Sequence, residues 1–242
     1  MMSQKLLLLS GLAVSLSSYA DYKVDKSEDL NGIHLKSGKE HSVRLFWGTT
    51  AKTLPYPMTL VKKGITNFTD KCNNAYKNKR KFTPTSYDCK YHNATVIESF
   101  VEKQISPAAG SESYLVGKKI YNLGASGYYE LVEVKDGVNK KNQKTITITQ
   151  RMLDNKEVKS FVTPKFENNS DFDKKTIVLT LTEASPKETH LSYQYEAETD
   201  HWVLNKQVNV PQIFASITKN IKETINVIDQ EASEQSREVA SK

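Results

Sequence analysis

The chain closes on a segment that limits what can precede it. After Pro211, the residues Phe214, Ile217, Ile221, Ile225 and Ile228 step by three, four, four and three. That spacing puts all five on one stripe of a helix, with Lys219, Lys222, Glu223 and Asp229 on the opposite side. At about 1.5 Å per residue, a helix over Pro211–Asp229 spans about 28 Å. An isoleucine stripe of that length has to be buried against a broad apolar surface. Much of the preceding chain has a period of two, as in Thr145-Ile146-Thr147-Ile148-Thr149, so the surface predicted is an antiparallel sheet.

The extended runs predicted upstream are Ser42–Trp47, Ala94–Val101, Tyr114–Leu123, Tyr128–Val134, Thr145–Thr149, Val158–Val162, Thr176–Leu181, His190–Ala197 and His201–Val208. Gly124-Ala125-Ser126-Gly127, Asp136-Gly137 and Ser185-Pro186 mark turns between them. One earlier helix is expected. Met58, Val61, Ile65, Phe68, Cys72 and Tyr76 share a face, and Pro57 suits its start. Residues 21–41 are polar and aperiodic and read as a mobile N-terminal arm; residues 230–242 lose the apolar stripe and read as a polar, fraying tail. The expectation is one α+β domain over 42–229.

The order of elements is a strand, a helix over Met58–Tyr76, strands from Cys89 to Val208, and Val210-Pro211-Gln212-Ile213-Phe214 leading into the last helix. This order resembles the helix-grip fold of the START-like (SRPBCC) superfamily, which includes polyketide cyclases, lipid-transfer domains and Bet v 1 proteins. The chain departs from that pattern in the extended segment 201–208 and in a single long first helix where the family has two short ones. The resemblance implies a curved antiparallel sheet wrapped around the long C-terminal helix, with a hydrophobic cavity between them. It implies no single function. A hydrophobic or amphipathic small molecule, such as a lipid, is the expected partner. Pleat parity points Ile146, Ile148, Tyr193 and Tyr195 inward, so Tyr193, Tyr195, Phe214, Ile217 and Ile221 are the candidate ligand-binding residues. A cyclase- or aromatase-type enzyme on the same fold, and a protein-interaction domain with a filled core, are the alternatives.

The first twenty residues read as a targeting segment. Lys5 precedes a run from Leu6 to Leu16, too short for a membrane span, and Ser18-Tyr19-Ala20 supplies small residues at the positions a signal peptidase reads. Cleavage after Ala20 would leave 222 residues with a net charge of +5, exported to a bacterial periplasm or secreted. Cys72 and Cys89 are the chain's two cysteines, and in an oxidising compartment they are expected to form a disulfide. Across residues 60–90, eight basic side chains face only Asp70 and Asp88. Within that run Lys77, Lys79, Arg80 and Lys81 are candidates for an anionic membrane surface, against the alternative of a solvated helix face. Nucleic acid is not expected as a partner, since no aromatic side chains interleave with this run.

No nucleophile elbow, zinc-protease helix, phosphate loop or dinucleotide fingerprint occurs. No catalytic residue, metal ligand or cofactor is therefore assigned. Asp200 and His201 are adjacent, which on a strand would point them to opposite faces and prevent a dyad. Glu98, Glu102, Glu130 and Glu133 fall in strands and read as solvated carboxylates.

Overall fold

The computed structural model of the chain describes residues 22–66, 96–105, 111–121, 125–166, 168, 170 and 172–240. The described residues contain nine strands. They are β1 (Lys23–Leu30), β2 (Ile33–Glu40), β3 (Val43–Leu54), β4 (Val96–Ile105), β5 (Ser111–Tyr121), β6 (Ala125–Val138), β7 (Lys144–Leu153), β8 (Lys174–Ser185) and β9 (Glu188–Thr199). They lie in one sheet in the order β1-β2-β3-β9-β8-β7-β6-β5-β4, antiparallel throughout. Strands adjacent in sequence are adjacent in the sheet except β3 and β4; β3 pairs instead with β9, so the N-terminal strands join the last one, and β4 lies at the far edge. The α-helices among the described residues are α1 (Met58–Thr66), α2 (Asn155–Phe161) and α3 (Val210–Ala240). An open, curved antiparallel sheet with a long C-terminal helix against it is the helix-grip arrangement.

The core lies between one face of the sheet and α3. Val61 and Ile65 of α1, the inward residues of the strands, and Ile213, Phe214, Ile217, Ile221, Ile225 and Ile228 of α3 form a single buried cluster. On the opposite face, α2 seats Val158 over Leu115, Tyr129 and Leu153, and the Phe166 ring stacks on Tyr129 at 4.7 Å.

Four expectations change at the ends of the fold. Residues 21–41 supply strands β1 and β2 instead of a mobile arm. Asn31 and Gly32 turn the chain with φ of 56° and 79°, the left-handed pair that a two-residue hairpin needs, and Ile33 and Leu35 are buried behind it. The strand expected at Val158–Val162 is helix α2, because the Asp154 side chain accepts from Glu157 N and Glu157 bonds back to Asp154 N, a capping box. His201–Val208 is a series of tight turns leading into a 3-10 turn at Gln207–Asn209. Finally, α3 runs 31 residues to Ala240, about 46 Å, where a fraying tail was expected beyond Asp229. Residues 228–232 of this helix pack on α1. A Cβ at Gly64 would lie 3.1 Å from the Ile228 carbonyl oxygen and 3.3 Å from Glu231 Cβ, and Ala232 is buried there. The folded unit thus exceeds 42–229 at both ends.

The long first helix is described only as α1, and Phe68, Cys72 and Tyr76 of its stripe lie outside the described residues. So do the segment 1–20, Cys89, and Lys77, Lys79, Arg80 and Lys81.

Candidate functional site

Alternation decides which side chains meet α3. On β7 the residues Ile146 and Ile148 point inward, on β8 Leu179 and Leu181, and on β9 Leu191, Tyr193, Tyr195 and Ala197. All five sequence-predicted residues join this interior. Tyr193 and Tyr195 approach it from the sheet, and Phe214, Ile217 and Ile221 from α3, every one of them buried. The structure therefore brings the five together in one core.

Where α3 crosses β2 and β3, the contact is tight. A Cβ added at Gly48 would lie 2.9 Å from Ile221 Cδ1, 3.2 Å from Leu35 Cδ2 and 3.4 Å from Ile217 Cγ2. Gly48 is what lets the helix lie this close to the sheet. Phe46 packs edge-on to both Phe214 and Phe172, each with ring centroids 6.4 Å apart. Lys52 Nζ donates to Asp229 Oδ2 at 2.7 Å, tying β3 to the helix at the rim.

The other part of the same face carries charge. Glu130 on β6 is fully buried, and parity sets it in line with Tyr128, Val132 and Val134 on the inward side. Lys118 of β5 ion-pairs with one carboxylate oxygen, and Lys175 of β8 reaches the other at 3.1 Å. Lys175 also donates to the Tyr128 hydroxyl at 2.7 Å, with its ammonium 4.0 Å from that ring's centroid. Burial by itself drives the Glu130 pKa up, but the two ammonium groups more than offset it and hold the carboxyl at about 2. Tyr195 borders the group; burial raises its phenol to about 12, with Lys175 pulling the other way. Tyr128 is raised too, by burial and then by the Glu130 charge. Tyr193 is raised by burial and hydrogen-bonds with Thr224 of α3.

The reading of Glu130 as a solvated carboxylate is thereby corrected. Its position two residues after Tyr128 and two before Val132 was the available signal, since on a strand those positions share a face. Two ammoniums against one carboxylate leave this cluster one positive charge. Lys118 and Lys175 are mostly but not wholly covered. The arrangement can hold an anion or orient a polar group inside an otherwise apolar interior. Among the described residues, no group of three or more His, Cys, Asp or Glu side chains is placed to hold a metal ion. Of the lysines in the basic run that lie in described residues, Lys62 is engaged, donating to Glu112 at 3.0 Å.

No protein-family model matches the chain, and no curated protein matches its sequence. Solved structures with a similar arrangement do exist. A STAR-related lipid transfer protein from Xanthomonas axonopodis matches at 11% identity over 88% of this chain and 99% of that one, with a TM-score of 0.46. Human StAR-related lipid transfer protein 5 matches at 12% identity over 88% of each chain, with a TM-score of 0.49. The Zhui aromatase/cyclase from a Streptomyces species matches at 12% identity over 78% of this chain and 94% of that one, with a TM-score of 0.43. The fold stated above rests on this chain's own strand order and closing helix.

Proposed function

We propose that the protein holds a hydrophobic or amphipathic small molecule, lipid-like in its apolar part, between the sheet and α3. Tyr193, Tyr195, Phe214, Ile217 and Ile221 contribute to the walls, and an acidic group on the ligand meets Lys118 and Lys175. The observation that carries this reading is the buried Lys118–Glu130–Lys175 cluster. A fold that needed only a filled core would be served as well by apolar side chains there, because buried ion pairs contribute little to stability relative to hydrophobic replacements. The residual positive charge is then a recognition feature. The protein is proposed to act after export, with residues 1–20 removed and Cys72 bonded to Cys89. Lys77, Lys79, Arg80 and Lys81 are proposed to favour anionic surfaces.

A filled-core interaction domain has one observation in its favour, the tight contact of α3 at Gly48. That contact takes in Ile217 and Ile221, two of the five wall residues, together with β2 and β3, and Lys118, Glu130 and Lys175 take no part in it.

Native mass spectrometry of protein purified from its own host, without denaturation, tests the proposal. The expected result is a retained small molecule that is lost or diminished in the Lys175→Met variant. A bare-chain mass, together with no uptake of a fluorescent fatty-acid probe by the same preparation, would overturn it.

A further inference from the structure

The turn between β9 and α3, residues 200–209, is built to hold an indole in solvent. Trp202 is 69% exposed and Val208 is 79% exposed, two of the few large apolar side chains that stand out from the described surface. Beneath them the turn is fastened from inside. Arg44 of β3 is only 2% exposed; its Nε donates to the Asn205 carbonyl at 3.0 Å, and Nη1 donates to Asp25 Oδ2 at 2.7 Å and to Ser37 Oγ at 2.6 Å. The Asn205 amide nitrogen donates to the Ser42 carbonyl, and that of Asn209 donates to the Val203 carbonyl at 2.6 Å. Backbone bonds from Asn205 to His201 and from Lys206 to Val203 complete the turn. Trp202 thus projects from a turn that buried hydrogen bonds hold in place.

The charged residues lining the groove at the turn are Lys39, Arg44 and Lys206 against Asp25 and Asp200; Arg44 already neutralises Asp25, and the Asp173 carboxylate accepts from the Asp200 N–H at 2.7 Å. The Lys206 ammonium lies 4.6 Å from the Trp202 ring centroid. An indole with an ammonium beside it matches the headgroup level of a bilayer, where the ring meets the acyl boundary and the cation meets phosphate. Two exposed apolar side chains are far too little area for a stable protein interface, which buries about 1,200–2,000 Å². Shallow insertion into a lipid surface needs no more than this. Among the described residues no helix is long and apolar enough to cross a membrane, so the contact is interfacial.

We propose that the 200–209 turn is a bilayer-docking element, with Trp202 and Val208 entering the interface and Lys206 and Lys39 meeting lipid phosphates. The proposal is independent of what the interior holds and of the basic run at 77–81.

The chain's two tryptophans are Trp47 and Trp202, so Trp47→Phe makes Trp202 the sole reporter. Vesicles of phosphatidylcholine, alone and mixed with phosphatidylglycerol, are titrated into this protein, with brominated acyl chains as the quencher. The expected result is a blue shift and quenching of Trp202. Trp202→Ala in the otherwise natural chain should lower the vesicle partition coefficient about tenfold, the scale of burying one aromatic side chain. Val208→Asp should lower it as well. Replacing Lys77, Lys79, Arg80 and Lys81 by alanine should leave the quenching of Trp202 in place. If Trp47→Phe does not fold, the difference in quenching between the natural chain and Trp202→Ala gives the same reading. Vesicle binding by Trp202→Ala equal to that of the natural chain, or Trp202 emission that bromolipid does not quench, would overturn the proposal. So would a blue shift that follows protein concentration without vesicles, which would assign the turn to a second copy of the chain.

Discussion

At β2 and β3 the sheet meets α3 through Gly48, Leu35 and Phe46, with no room for one additional methyl group. At β5, β6 and β8 the same face ends in Lys118, Glu130 and Lys175. The two regions share a sheet, a parity and a helix, yet one is close-packed hydrocarbon and the other a buried ionic group. The packed region fixes where the helix lies. The charged region adds nothing to that placement that leucine and methionine could not supply, and for that reason the proposed function is placed there.

The largest effects should come from breaking the charged region unevenly. Glu130→Ala leaves two buried ammoniums unpaired and should cost about 3–5 kcal/mol in urea unfolding. Replacing Lys118 and Lys175 by Met and Glu130 by Leu together should be near neutral, or stabilising, while abolishing probe binding. A loss below about 1 kcal/mol for Glu130→Ala would mean that the cluster is solvated, as surface pairs are, and the contrast would collapse. Acid should act on the same group. Glu130 titrates at about 2 when folded, below its usual value, so its contribution is present above the usual carboxylate range. That contribution is lost as pH falls toward 2. The triple variant should show a shallower acid transition than the natural chain.

In the packed region, Ile217→Ala should cost about 3 kcal/mol, the range for a buried isoleucine that leaves a cavity. It should change ligand uptake less than Lys175→Met does. Gly48→Ala should cost about 1–2 kcal/mol by pushing the tips of Ile221 and Leu35, and calorimetry would register it as a lower Tm. A neutral Gly48→Ala would mean that α3 rides loosely, removing the distinction between the regions.

The smallest effect concerns a second carboxylate. Glu196 follows Tyr195 on β9 and so points to the opposite face of the sheet. Burial and then the charge of Glu198 raise its pKa to about 7. Glu130 is the more deeply buried of the two and sits far lower, so charged neighbours outweigh depth in setting these values. Between the usual carboxylate value and about 7, folded Glu196 keeps a proton that the unfolded chain has lost, so stability falls as pH rises through that window. Because Glu196 is partly solvated, Glu196→Gln should gain only about 1 kcal/mol at alkaline pH and nothing in acid. Equal gains at both ends of a pH series would refute the titration.

Much of this architecture could be read from alternation and stripe. Ile146, Ile148, Tyr193 and Tyr195 face inward as parity requires, because one face of their strands is buried and a one-residue slip would expose all four. The N-terminal hairpin was hidden by composition. β1 is an edge strand in which Lys23, Asp25, Lys26, Ser27, Glu28 and Asp29 leave only Val24 and Leu30 apolar, so it looks like a solvated arm, although Asn31-Gly32 marked the turn. Just past Ile228 the isoleucine stripe gives way to Ala232, because the partner at that level is Gly64 of α1, against which a small residue packs closely. Glu130 was obscured by its chemistry. A carboxylate in a strand is usually solvated, and the two lysines that make burial tolerable come from strands before and after it, a pairing that no local pattern encodes.

The central claim is that the charged part of the interior receives an acidic group of a bound amphiphile. Its most direct test is equilibrium titration of the natural chain and of Lys175→Met with two fluorescent acyl probes that differ only in ending as a carboxylate or as a methyl ester. The account predicts that the natural chain prefers the carboxylate by about tenfold, as a charge-assisted hydrogen bond would give, and that Lys175→Met removes the preference while still taking up the ester. Equal affinity of the natural chain for the two probes, or uptake of neither, would contradict it.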